Sequence, residues 1–146
     1  MTSPLVLPGL TALLAAAADT AQAFVAAAQP AVRARIAGPD GKPDRQRADE
    51  EQHVVHGFGW FAAYAELMRE VARWAAHLES GGAFGRTEAL LAQLQFAEYG
   101  AQLIGGIPMN QGEVIRLSDL CDDATALQDP ALLKLVREGG KSVDPG

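Results

Sequence analysis

Apolar residues recur along this chain at helical spacing over three long stretches. Leu10, Leu13, Leu14, Ala17, Ala21, Phe24, Val25 and Ala28 follow one another at intervals of three and four, which places them on one face of a helix. Pro30 lacks a backbone donor and predicts a kink or an end there, with Ala31 to Ile36 continuing at an angle. Gly38-Pro39-Asp40-Gly41-Lys42-Pro43 is the clearest break in the chain. A second helix is predicted from about Asp44 to Ser80. Its acidic opening (Asp44, Asp49, Glu50, Glu51) suits the positive end of a helix dipole. Val54, Phe58, Phe61, Ala65, Met68, Val71, Ala75 and Leu78 form its packing seam. Gly57 and Gly59 each weaken this helix by about 1 kcal/mol relative to alanine, so a close neighbour or a bend is expected there.

After Gly81-Gly82, a third helix is predicted from about Thr87, read as near its N-cap, to Ile104, where Gly105-Gly106 and Pro108 stop it. Shorter helices are expected over Gln111 to Arg116 and over Ala124 to Arg137, the latter broken near Asp129-Pro130 and ended by Gly139-Gly140. No segment alternates apolar and polar residues with β-branched enrichment, so essentially no sheet is expected. The predicted class is all-α: a three- or four-helix antiparallel bundle with short additional C-terminal helices. Residues 1–140 form one helical domain in this reading, and 141–146 a tail or the start of a linker.

Composition adjusts this picture in three ways. At 146 residues the chain is long enough to bury a core without metal or disulfide. Its net charge of −6 argues against nucleic acid, which needs clustered Lys and Arg to neutralise phosphate. The first apolar stretch contains Asp19, Thr20 and Gln22 and has no basic segment before it. It therefore reads as a bundle helix rather than a membrane span or a secretory signal. Cys121 is the lone cysteine, so no disulfide forms within one chain, which fits a cytoplasmic protein; the thiol reads as a small hydrophobe.

Glu50-x-x-His53-x-x-His56 is the most suggestive polar arrangement, because residues three apart share one side of a helix and Glu-x-x-His is the ligand spacing of ferritin-like bundles. Such centres need a second Glu-x-x-His and two further carboxylates from other helices; the first helix offers only Asp19 and the third only Glu88 and Glu98, neither with a histidine three residues on. Metal is therefore not expected, with Glu50, His53 and His56 as the candidates for a simpler zinc site. Trp60, Phe61, Tyr64 and Trp74 at helical spacing read mainly as core, with Trp60 and Tyr64 able to share a face that meets a partner. Glu98 on an apolar helix predicts a basic partner, Arg69 or Arg73. No phosphate loop, dinucleotide fingerprint, nucleophile elbow or Cys-x-x-Cys occurs.

The stretch from Phe96 to Arg116, FAEYGAQLIGGIPMNQGEVIR, together with His56-Gly-Phe-Gly-Trp-Phe-Ala-Ala-Tyr64, resembles the N-terminal extension of the (2S)-methylsuccinyl-CoA dehydrogenases over roughly residues 45 to 120. The resemblance implies a flavin-dependent acyl-CoA dehydrogenase that oxidises the α,β carbon–carbon bond of its substrate with FAD and a catalytic carboxylate. Those elements belong to a longer core whose motifs are absent from this chain. No catalytic or cofactor-binding residue is therefore assigned, and FAD is expected only in the associated core. The implied role is an accessory helical domain that packs on that core, builds an oligomer or restricts access to the acyl-CoA site. Trp60, Tyr64, Ile104, Ile107, Met109 and Ile115 are the partner-binding candidates, and the partner is either the dehydrogenase core or a second copy. The alternatives are a free-standing homodimeric binding bundle and a metal-dependent enzyme built on Glu50, His53 and His56.

Overall fold

The structure, a computed structural model, describes residues 5–122 and 125–140. Its elements are α1 (Leu10–Ile36), α2 (Arg45–Glu50), α3 (Gln52–Ser80), α4 (Arg86–Gly105), β1 (Ile107–Asn110), β2 (Glu113–Ile115), α5 (Leu117–Leu120), a 3-10 turn (Thr125–Leu127) and α6 (Pro130–Glu138). The expected all-α bundle is present. The tail at 141–146 lies outside the described residues, as does Ala124, the expected start of the last helix.

α1 and α3 make the largest helix–helix contact of the fold. Alanine explains their closeness: Ala17, Ala18, Ala21 and Ala28 of α1 and Ala65, Ala72 and Ala75 of α3 are buried, and such short side chains let two backbones approach. Phe24 and Phe61 fill the centre, their ring centroids 5.2 Å apart and tilted by 47°. α4 adds Phe96 and Leu103 to the same core, and α6 closes it with Leu132 and Leu135. α1 is long and apolar enough to cross a membrane by length and composition alone. Its face from Leu14 to Ala28, however, is buried within the fold.

α1 continues through Pro30 to Ile36, as one of the two outcomes expected there; Pro30 is exposed, and burial of Ala28 and Val32 on either side offsets the lost hydrogen bond. Three sequence expectations change. The helix expected from Asp44 to Ser80 is two helices, divided at Glu51 (φ −99°, ψ 20°); Asp44 caps the first, its Oδ1 accepting from Arg47 N at 3.0 Å. Gly85, not Thr87, precedes α4. The segment read as a helix over 111–116 is half of a hairpin. In it Ile107 pairs with Ile115 and Pro108 with Val114, antiparallel, with an irregularity before Asn110. Gly106 at φ 120° turns the chain out of α4, and Asn110 Oδ1 accepts from Gly112 N at 3.0 Å to close the reversal.

The hairpin locks onto α3 at one glycine. A Cβ placed on Gly57 would overlap Cγ1 and Cδ1 of Ile115 and lie 2.8 Å from its Cβ, whereas nothing lies within 4 Å of the corresponding point on Gly59. The close neighbour expected at these glycines is thus a side chain, and only Gly57 receives it.

A second lock joins distant parts of the chain. Gln93 on α4 is fully buried. Its Oε1 accepts from Leu7 N at 2.8 Å, and its Nε2 donates to Leu5 O and Gly139 O, both at 3.0 Å. One carboxamide therefore ties the segment before α1 to the end of α6.

Candidate functional site

α3 carries two stripes. Val54, Phe61, Ala65, Met68, Ala72 and Ala75 face the core, and Trp60, Tyr64, Leu67, Val71, Trp74 and Leu78 follow beside them at spacings of four and three. The second stripe runs roughly 27 Å along the helix and contains no formal charge.

At its N-terminal end the stripe is a ladder of rings. The indole Nε1 of Trp60 donates to His56 Nε2 at 3.1 Å, so that imidazole nitrogen is the unprotonated acceptor. Trp60 meets Tyr64 edge-on with centroids 6.2 Å apart, and Tyr64 stacks on Tyr99 of α4 at 4.4 Å and 19°. The Tyr64 hydroxyl donates to Gln102 Oε1 at 2.6 Å. Burial and, after it, the neighbouring Tyr99 hydroxyl raise the pKa of Tyr64 above its usual value near 10. Trp74 meets Phe84 edge-on at 6.4 Å at the opposite end. Since Tyr64 faces Tyr99 and Gln102 while Trp74 faces Phe84, α3 and α4 are antiparallel, and the stripe lies along their shared outer groove.

That groove exposes apolar surface. Leu67 is 47% exposed and Trp74 41%; among the described residues the other large hydrophobics of comparable exposure are Leu91 of α4, at 60%, and Leu5. Tyr99, Gln102 and Leu67 were not identified from sequence as part of this surface; for Leu67 the signal was available as the second periodic stripe beside the core seam of α3. Arg69 and Arg73 pair with Glu66 and Glu70 of their own helix rather than with Glu98, which is exposed. Local i,i+3 pairing wins there because it orders fewer groups.

The other candidates are placed differently. Ile107 and Ile115 are fully buried and opposite one another in the hairpin, so neither offers its side chain to a partner. Ile104 and Met109 are half-buried. Ile104 lines a shallow hollow of about 350 Å³ with Arg116, Leu117, Ser118, Cys121 and Asp122. Glu50 lies on α2, its Oε1 accepting from Gln46 at 3.0 Å, whereas His53 and His56 lie beyond the break at Glu51 and are exposed. The three are not on one helix. Among the described residues no group of three or more His, Cys, Asp or Glu side chains is placed to hold a metal ion.

A flavin does not fit the hollows described here. The polar one, about 520 Å³, is lined by Asp44, Glu50 and Glu51 beside Arg35 and Arg47, and its carboxylates would repel a diphosphate. The hollow beside Ile104 offers one arginine together with Asp122.

No protein-family pattern matches the chain. Over 120 residues, 82% of this chain, the sequence is 39% identical to the (2S)-methylsuccinyl-CoA dehydrogenase of Cereibacter sphaeroides. The aligned part is 22% of that enzyme, so the chain spans about a fifth of its relative's length. The resemblance, expected over roughly residues 45 to 120, therefore extends over 120 residues of the chain, which is similar to part of an acyl-CoA dehydrogenase.

Proposed function

We propose that this chain is an accessory helical domain of a flavin-dependent acyl-CoA dehydrogenase of the methylsuccinyl-CoA type, with a structural and interaction role. The observation that carries the proposal is the asymmetry of the alignment: most of this chain matches a small part of the enzyme. The fold supports it. The polar side chains of the α3–α4 groove are engaged with one another, as in Trp60–His56 and Tyr64–Gln102, rather than converging on an open cavity. In this reading FAD and the catalytic carboxylate reside in the dehydrogenase core outside the aligned region. The partner is that core, the assembly is cytoplasmic, and oxidation of an acyl-CoA is the work of the whole.

The test begins with the source gene beyond the codon for Gly146. An in-frame continuation into several hundred residues of flavoenzyme supports the proposal. So does a separately encoded dehydrogenase core that co-purifies with this chain in a fixed ratio. A stop codon, with no such core retained by the chain in its native lysate, overturns it.

A further inference from the structure

We infer that the segment before α1 is a strap that latches the end of α6, with Gln93 as the catch, so that releasing either one loosens the other. The latch is a property of this chain and is independent of the function proposed above.

The carboxamide of Gln93 pairs with the strap as a neighbouring strand would. Its Oε1 accepts from Leu7 N at 2.8 Å, and its Nε2 donates to Leu5 O at 3.0 Å, two residues back along the same backbone. The other hydrogen of that nitrogen goes to Gly139 O, also at 3.0 Å. Gln93 is fully buried, and the end of α6 lies against it: a Cβ on Gly139 would be 3.4 Å from Gln93 Cγ and 3.2 Å from Ala97 Cβ. Lifting the strap leaves one acceptor and one donor of a buried amide without partners, a costly state unless water enters beside Gly139. Water admitted there competes for the remaining bond to α6. The coupling runs equally in the other direction, because each end is stabilised by the same side chain.

The strap can lift separately from the bundle. Leu7 is its buried anchor, whereas Leu5 is largely exposed. Val6, Leu7 and Gly9 line a hollow of about 310 Å³ with Glu79, Phe84 and Arg86, so one side of the strap faces open space. The strap joins α1 through Gly9, held at φ 66° with nothing within 4 Å of a Cβ placed there, which leaves the backbone free to pivot. Opening breaks few contacts, and segments of this kind open at free energies below that of global unfolding. The body of α6 is seated on α4 by packing of Leu132 and Val136 against Gly100. Its last turn is therefore the part that answers to the strap, and any chain continuing from α6 leaves from a point that the segment before α1 holds.

Amide hydrogen exchange of the full 146-residue chain, read residue by residue by NMR, tests the latch. The reporters are the amides of residue 7, bonded to Gln93, and of Gly139, bonded to Leu135 O; buried Ala21 of α1 is the control. Leu7→Gly removes the anchor of the strap and should speed exchange at Gly139 about tenfold, the effect of losing one buried hydrogen bond, with Ala21 unchanged. Gly100→Ala acts from the other end. Its methyl would lie 2.8 Å from Val136 Cγ2 and 2.9 Å from Leu132 Cδ1, unseating α6 two turns away from Gln93, and should speed exchange at Leu7. In a Gln93→Met background, Leu7→Gly should have no further effect at Gly139. Unchanged exchange at Gly139 in Leu7→Gly, or at Leu7 in Gly100→Ala, would overturn the inference. So would an equal rise at Ala21, which would make strap, α6 and core a single cooperative unit.

Discussion

Two glycines two residues apart on α3 should respond to the same substitution with opposite signs. Alanine gains about 1 kcal/mol over glycine in a helix interior, and at Gly59 nothing opposes that gain, since no atom lies within 4 Å of the new methyl. Gly59→Ala should therefore stabilise the protein by about 0.5–1 kcal/mol. At Gly57 the methyl would occupy space held by Ile115. Rotating the Ile115 side chain does not relieve the overlap, because its Cβ is itself only 2.8 Å away and moves only with the strand. That strand is held by pairing with β1. Overpacking of this kind costs about 3 kcal/mol at the upper end of its usual range, so Gly57→Ala should destabilise by about 2 kcal/mol net. With roughly 3–4 °C per kcal/mol for a domain of this size, the two variants should melt about 10 °C apart, on either side of the parent. Thermal and urea unfolding followed by circular dichroism measure this directly. The Gly57→Ala penalty should also shrink in an Ile115→Ala background. A Gly57→Ala protein as stable as the parent would refute the packing of the hairpin on α3.

Further outcomes follow from the polar contacts. Gln93→Leu strands Leu7 N, Leu5 O and Gly139 O, and should cost about 2–4 kcal/mol in urea unfolding. Asp129 Oδ2 accepts from Ala131 N and Leu132 N at the start of α6, so Asp129→Ala should lower stability by about 1–2 kcal/mol. The raised pKa of Tyr64 means the folded chain keeps this proton at pH values where the unfolded chain releases it. Stability is therefore complete below pH ~10 and falls as the pH rises through the folded value, a loss that Tyr64→Phe should reduce in the alkaline limb of the unfolding curve.

Much of the fold was legible because alanine and leucine at spacings of three and four admit few readings over 20 or more residues. α1 and α4 appeared within a few residues of their ends, and α3 at its C-terminal end, Ser80. The hairpin was missed for the opposite reason. Ile107-Pro-Met-Asn and Glu-Val-Ile115 are too short for a period of two to stand out against a period of 3.6. Gly106 and the Asn110–Gly112 reversal were the usable signals. The break at Glu51 was hidden because Asp44 to Glu51 is helix-forming throughout. The exposed flank of α3 was partly legible: Trp60 and Tyr64 lie on one side of the helix, but Ile107 and Ile115 look the same in sequence whether a hairpin folds them inward or not. Gln93 shows the remaining limit. Its carboxamide binds positions 86 and 46 residues away, and no local pattern marks such a contact.

That carboxamide also determines how the domain would bear load. Because Gln93 holds Leu5 and Gly139 through a single side chain, tension applied between those two points would fall first on a few hydrogen bonds and not on the helices behind them. The bundle would sit outside the line of force. In a force-spectroscopy trace the clasp should yield as a small early event, and the α1–α3 core should resist until well after it has opened.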